Sequence, residues 1–501
     1  MKPDPDTFLP EESLDPQDWS AMRSLGHRMI DDIFDYWQSV RERPVWQPVP
    51  EAVKANLERP LPLEPQAPEQ VYQDFQENIL PYPMGNIHPR FWGWVIGTGT
   101  PLGALADFLG SAMNPNMGGG DHGANYVEVQ VIEWIKQMLA YPQPASGLLV
   151  SGASMANLVG LTVARDSMAG FDVRSKGVQS APKRMLLYAS SEVHSCIERA
   201  VDVLGLGCES LHLVPVDRNY EMDLQALKHA IAADRRAGFQ PFCVVGTAGT
   251  VNTGAIDNLQ ALADLCQEED LWFHVDGAIG SVLALSPNQC ERVQGMQRAD
   301  SLALDLHKWM YIPYEAGCAL VANKEAHRSA FAEHTDYLAR ARGGLAGGAH
   351  WFSDYGIQLS RGFRALKVWM SFKEHGIHKY GRMVDQNIAQ AKYLARLIEQ
   401  TPELELLAPA PLNIVCFRYK AGGLNLAELN QLNQELLVRL HESGLAAPSY
   451  TTLNGNYALR VANTNQRSRR EDFDLLVEAV LRLGHQLEKE FALSNVAQSR
   501  S

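Results

Sequence analysis

Between about residues 88 and 376, short apolar runs alternate with helical patterns, and no other feature restricts the possible folds as strongly. The runs are residues 185–189, 211–214, 242–247, 271–275, 301–304 and 318–322. Helical patterns such as 224–237 and 258–269 fall between the earlier ones. Strands that are apolar throughout and separated by helices predict an α/β fold with a mostly parallel sheet, covered on both faces. Ligands of such sheets sit beyond the carboxyl ends of the strands. The ends of the runs are therefore where chemistry is expected.

Two of those ends are ionisable. The run 301–304 breaks into Asp305, His307 and Lys308, and the run 271–275 ends in Asp276. A lysine at a buried strand end is costly unless something uses it. One use is covalent: desolvation lowers an amine's pKa, and a neutral amine forms a Schiff base with an aldehyde. A carboxylate at Asp276 needs a buried cationic partner. Singly, Asp276 reads as a satisfied structural group and the His307–Lys308 pair as part of a salt bridge. In this order, on successive strands, they supply what pyridoxal phosphate (PLP) demands: a lysine for its aldehyde and an acid for its ring nitrogen.

Three loops add to the pair. Ser151-Gly-Ala-Ser154 lies between an apolar segment, 148–150, and a helical pattern, 158–165. A small-residue loop at a helix N-terminus offers backbone N–H groups to a phosphate, here at Ala153 and Ser154. The loop 191–195 follows the run 185–189 and contains His194, a ring able to stack on a flat ligand. Gly246-Thr-Ala-Gly-Thr250 ends a third run, with small residues that let a planar cofactor approach closely.

A chain of 501 residues exceeds a single core and implies two or three domains. Four segments are expected: an N-terminal helical and wrapping segment (1–87), a large α/β domain (88–376), a small α+β domain (377–493) and a tail (494–501). In the first segment Asp15-Pro16 reads as a helix start, with apolar residues at helical spacing from Met22 to Trp37. The proline-rich stretch 44–83 shows little periodicity. The small domain should contain helices at 383–400, 427–442 and from about 472, with strands at 404–407, 414–418 and 457–461. A net charge of −14 gives no electrostatic support for nucleic-acid binding. No apolar run approaches the roughly 20 residues of a membrane span, and the N-terminus has no signal-peptide apolar core. The seven cysteines form no CxxC pair, and several sit inside apolar runs where they read as buried free thiols, which fits a reducing compartment. A cytoplasmic protein without a metal site is expected.

The ordered set Ser151-Gly-Ala-Ser154, 191–195, Gly246-Thr-Ala-Gly-Thr250, His274-Val-Asp-Gly-Ala278 and His307-Lys-Trp309 resembles the group II PLP-dependent amino-acid decarboxylases. These include the aromatic-amino-acid and glutamate decarboxylases, with the aspartate-aminotransferase-like fold (fold type I). The resemblance spans about residues 18–470. It implies that Lys308 carries the cofactor and that Asp276 keeps the pyridine nitrogen protonated. It implies that His194 and Ala278 flank the ring, that Ala153 and Ser154 hold the phosphate, and that His307 and Thr250 join the cofactor contacts. Thr335-Asp-Tyr-Leu338 resembles the family's catalytic loop, whose tyrosine, here Tyr337, returns a proton to Cα after CO₂ leaves. The implied activity is decarboxylation of an L-amino acid, aromatic or related, by a homodimer with its active site at the subunit interface. The alternatives are an aldehyde-forming decarboxylating oxidase and a decarboxylase of acidic or other polar amino acids.

The chain departs from the family in two places. Asp305-Leu306 stands where the family reads Asn-Pro, so a carboxylate beside a phosphate must be paired or turned away. Asn114-Pro-Asn-Met-Gly-Gly-Gly-Asp-His-Gly123 stands where aromatic-amino-acid decarboxylases carry bulky apolar residues. The expected pocket is more polar or roomier, with Asn116, Asp121 and His122 as substrate contacts. Trp94, Thr98 and Arg460 complete the candidates, Arg460 for a substrate carboxylate.

Overall fold

The computed structural model describes residues 12–333 and 343–498. They fall into two units, Met1–Gly85 and Asn86–Ser501.

Among its described residues the first unit holds three α-helices, α1 (Trp19–Gln38), α2 (Glu51–Leu57) and α3 (Pro68–Asn78). Helix α1 starts three residues later than Asp15-Pro16 suggests. The Asp18 carboxylate accepts the N–H groups of Ser20 and Ala21, and that cap fixes the start. Helices α2 and α3 occupy the stretch whose prolines hide periodicity. Pro68 stands at the first turn of α3, where its missing N–H costs nothing. Tyr72 and Gln76 of α3 both donate to the Asp32 carboxylate of α1, at 2.7 and 2.9 Å.

The second unit is built on two sheets. Its strands are β1 (Phe91–Trp92), β2 (Ser146–Val150), β3 (Met185–Ser190), β4 (Leu211–Val214), β5 (Gln240–Thr247), β6 (Trp272–Asp276), β7 (Ser301–Asp305), β8 (Gly317–Val321), β9 (Leu404–Leu406), β10 (Ile414–Tyr419), β11 (Ala447–Leu453) and β12 (Asn456–Ala462). Its earlier helices are α4 (Pro101–Met113), α5 (Gly123–Met138), α6 (Ala153–Met168), α7 (Val173–Lys176), α8 (Ser195–Val203), α9 (Leu224–Arg236) and α10 (Leu259–Glu269). The seven-stranded sheet runs β2-β8-β7-β6-β5-β3-β4. Strands β4, β3, β5, β6 and β7 are parallel, while β8 is antiparallel to both its neighbours. Every residue of β3, β6 and β7 is buried, as expected of strands covered on both faces.

The second sheet runs β1-β11-β12-β10-β9. Its edge strand β1 comes from the start of the unit and lies parallel to β11, with Phe91 opposite Ala447 and Trp92 opposite Pro448. Trp92 is buried, stacks on Phe473 at 4.8 Å and donates to Ser468 Oγ. Strand β11 is absent from the sequence reading. Its signal is the Asn454-Gly455 dipeptide, both residues left-handed, which turns β11 into β12. The last helix (Arg470–Gln498) extends into the segment read as a tail. Among the described residues no helix is long and apolar enough to cross a membrane.

Candidate active site

Strands β6 and β7 are neighbours, so their carboxyl ends bring Asp276 and the Asp305–Lys308 segment to one edge of the sheet. Asp305 is the hub of that edge. Its Oδ2 lies 2.8 Å from Lys308 Nζ, and its Oδ1 accepts the Ala153 N–H at 2.7 Å and lies 3.6 Å from His307 Nε2. His307 Nδ1 accepts the Ala316 N–H, and the Tyr314 ring lies 4.2 Å from the imidazole. Two expectations are corrected here. Burial, the largest single influence, pushes the Lys308 amine down, but Asp305, Asp276 and Tyr314 together outweigh it, so its pKa is raised. The Ala153 N–H, expected free for a phosphate, is taken by Asp305. Ser154, the second residue of α6, stays exposed.

Asp276 is buried. It accepts from neutral groups, Asn157 Nδ2 at 3.2 Å and the Ala278 N–H at 3.1 Å. Thr247 of β5 stands opposite it in the ladder, and its buried hydroxyl has no hydrogen-bond partner among the described residues. The sequence reading missed Thr247 in favour of Thr250, whose hydroxyl is spent on its own turn, against Thr253 Oγ1 and the Ala255 N–H. The available signal was position: Thr247 is the last residue of its strand. His194 caps α8 by accepting the Cys196 N–H, and its ring is exposed. Desolvation lowers its pKa; Asp276 opposes that shift and Lys308 adds to it.

Gly97 is a second residue the sequence reading missed. A Cβ there would fall well inside 3.0 Å of the carbonyl oxygens of His307 and Lys308, so only glycine lets this segment cross the lysine loop. The signal was a glycine inside Gly97-Thr-Gly-Thr100.

The substrate candidates fare unevenly. Arg460 is buried with its guanidinium spent on the carbonyls of Asn252, Val251 and Trp94 and on Ser449 Oγ, which corrects its reading as a receptor for a substrate carboxylate. Asn116 Oδ1 accepts the N–H groups of Gly118 and Arg361, so that side chain shapes its own loop. The glycines beside it do not leave room: Cβ atoms at Gly118 and Gly119 would collide with the Leu359 carbonyl and the Trp351 ring. Asp121 is exposed and accepts from Tyr126 OH at 2.6 Å. His122 stands before α5 as its N-cap residue without a side-chain cap bond. Trp94 is 57% exposed with a left-handed backbone, and so is no core residue, while Thr98 is buried. Tyr337 lies outside the described residues. Among the described residues no group of three or more His, Cys, Asp or Glu side chains is placed to hold a metal.

The residues fit PLP: an amine, a carboxylate on the neighbouring strand, an exposed helix N-terminus, and beside the carboxylate an unpaired buried hydroxyl that the protein itself does not satisfy. Fold and site together define a PLP-dependent enzyme of fold type I. The pyridoxal-dependent decarboxylase conserved domain matches residues 50–420. An aromatic-L-amino-acid decarboxylase of Bacillus atrophaeus is 35% identical over 455 residues, covering 90% of this chain and 93% of that protein. A phenylacetaldehyde synthase of Arabidopsis thaliana is 28% identical over 464 residues, covering 90% and 93%. The crystal structure of Oryza sativa TDC with PLP and tryptamine matches with a TM-score of 0.87 at 25% identity, covering 95% of this chain and 100% of that one. The chain belongs to the pyridoxal-dependent decarboxylase family. It is a carboxy-lyase that uses PLP to decarboxylate an amino acid.

Proposed function

We propose that this enzyme converts an aromatic or related L-amino acid to its amine, with Lys308 as the cofactor lysine and Asp276 as the partner of the ring nitrogen. The observation that carries the reading is the convergence of these two groups at the ends of adjacent strands, beside the start of α6. When bound, PLP supplies an aldehyde that joins amino groups and a ring that draws electrons from the bond being broken.

Each remaining role belongs to the chain. Ser154 and His307 hold the phosphate end, with Ala153 setting the start of α6. His194 and Ala278 flank the ring, and Thr247 replaces Thr250 as the hydroxyl contact. Asp305, 2.8 Å from Lys308 Nζ, holds the amine in place and favours its protonated form. Tyr337 returns a proton to the substrate Cα. The aromatic preference is supported by similarity to the Bacillus atrophaeus protein and by Arg460, whose guanidinium is already committed and so does not serve an acidic side chain. Trp94, Thr98, Asp121 and His122 remain the proposed substrate contacts.

The proposed assembly is a homodimer in the cytoplasm, its active site at the subunit interface. The apolar side chains Phe108, Leu109 and Met113 of α4, all exposed in one chain, support a second copy as their cover. A second product is favoured by one observation, the similarity to a phenylacetaldehyde synthase: aldehyde in place of amine. The test is incubation with the common L-amino acids and mass spectrometry of the products. Amine from an aromatic substrate supports the proposal; stoichiometric aldehyde, ammonia and peroxide select the second reading. Lys308→Ala should lose covalent cofactor, and full turnover in that variant rules the assignment out.

A further inference from the structure

Asp276 is the end of a line of buried hydrogen bonds. Trp272 Nε1 lies 2.8 Å from Ser301 Oγ, which lies 2.7 Å from His274 Nδ1. His274 Nε2 lies 2.8 Å from Asn157 Oδ1, and Asn157 Nδ2 lies 3.2 Å from Asp276 Oδ2. Asn157, His274 and Ser301 have no solvent exposure.

The direction of the line follows from its ends. An indole N–H only donates, so Ser301 accepts from Trp272 and has its own proton for His274 Nδ1. A carboxylate only accepts, so Asn157 turns its amide nitrogen to Asp276 and its carbonyl to His274. The imidazole must then carry its proton on Nε2 and leave Nδ1 bare, where the Ser301 hydroxyl can donate to it. The Asp276 end sets this tautomer, and the Ser301 hydroxyl matches it by donating to Nδ1. Asn157 Nδ2 also donates to Cys196 Sγ at 3.3 Å. Burial pushes the His274 pKa down to about 3, so the ring stays neutral in ordinary buffers. Gly160 makes room for the line: a Cβ there would lie 2.7 Å from His274 Cε1 and 3.0 Å from Ser301 Oγ.

We propose that His274, locked as the Nε2–H tautomer between Ser301 and Asn157, is a positioning residue that fixes the Asn157 amide and through it the carboxylate of Asp276. The proposal rests on the reading that Asp276 partners the ring nitrogen. If the amide turned over, a carbonyl would face the carboxylate, a juxtaposition of two acceptors that costs the full penalty of unpaired buried groups.

The experiment compares PLP with its deaza analogue, in which carbon replaces the ring nitrogen, by measuring the dissociation constant of each from the holoenzyme. The parent protein should prefer PLP, and Asp276→Ala should abolish that preference. His274→Phe and the milder Ser301→Ala should cut the preference by about tenfold and about threefold, the loss expected of one or two buried hydrogen bonds, while leaving the analogue's affinity near that of the parent. A merely structural role weakens both ligands equally, and that result overturns the proposal. If the parent protein itself binds the two ligands alike, the reading of Asp276 fails first. The tautomer is tested apart from any cofactor by nitrogen-15 spectra of the histidines, with His274 assigned by its loss in His274→Phe. One protonated and one bare ring nitrogen, unchanged between about pH 5 and 9, is expected for a histidine held outside its normal titration range. A doubly protonated ring, or a proton on Nδ1, overturns the proposal.

Discussion

Replacing Gly97 by alanine tests whether backbone packing holds the cofactor lysine in register. The new Cβ would meet two carbonyl oxygens, those of His307 and Lys308, and neither is the end of a flexible side chain. Real Cβ atoms essentially never come within 3.0 Å of a neighbour, so the lysine loop must retreat by roughly 1 Å. A misplacement of that size at a reacting group costs about 10²-fold in rate. Overpacking of this kind also costs about 1–3 kcal/mol of stability. The assay is twofold: thermal unfolding of the cofactor-free protein, and the steady-state rate together with the visible band of lysine-bound cofactor. Gly123→Ala is the control, because nothing lies within 4 Å of its added Cβ. The expected result is a Gly97→Ala protein that folds, attaches PLP slowly and turns over about 100-fold more slowly, beside a Gly123→Ala protein indistinguishable from the parent. A Gly97→Ala enzyme with parental rate and spectrum would refute the reasoning, since the segment would then have room that the packing denies it.

Other consequences are as direct. Asp305→Asn keeps an oxygen for the Ala153 N–H but removes the charge that does most to raise the Lys308 pKa, so the downward push of burial is less opposed. The pH at which added PLP begins to attach should therefore move down, and an unmoved midpoint in stopped-flow spectra removes Asp305 from that role. Thr247→Val deletes a buried hydroxyl with no partner, so the cofactor-free protein should be as stable or up to about 1 kcal/mol more stable, while PLP binds about fivefold more weakly. Equal losses in both measurements would count against a cofactor contact. Arg361 and Glu128 form a buried pair whose arginine also donates to the carbonyls of Met117 and Leu149. Glu128→Gln should cost about 3–5 kcal/mol in denaturant unfolding, and a cost below about 1 kcal/mol would mean the pair contributes little.

The large sheet was legible because its strands are apolar along their whole length, a pattern that surface chemistry does not blur. The residues at its strand ends were legible because lysine and aspartate are out of place there. What the sequence hid was the use of each group. Asp305 looked like an intruder beside a phosphate, yet it is the partner of Lys308 and of the first amide of α6. Arg460 looked free because three of its four acceptors are backbone carbonyls, which carry no side-chain signature. Thr250 and Thr247 lie in one short motif, and beyond Thr247's place at its strand end it is their hydrogen bonds that separate a turn-closing hydroxyl from an unpaired one. The glycine-rich loop near Gly119 suggested an open pocket, but an indole from 232 positions later, Trp351, fills the space.

Strand β1 has a consequence for how the protein is made. Phe91 and Trp92 leave the ribosome hundreds of residues before Ala447 and Pro448, the partners that complete their ladder. The second sheet thus has no closed edge until nearly the whole polypeptide has been synthesised, and pairings that distant in sequence are slow to form. Two halves expressed separately, cut where the large sheet ends, would leave the C-terminal half with one raw β edge and the N-terminal half with a buried tryptophan exposed to water.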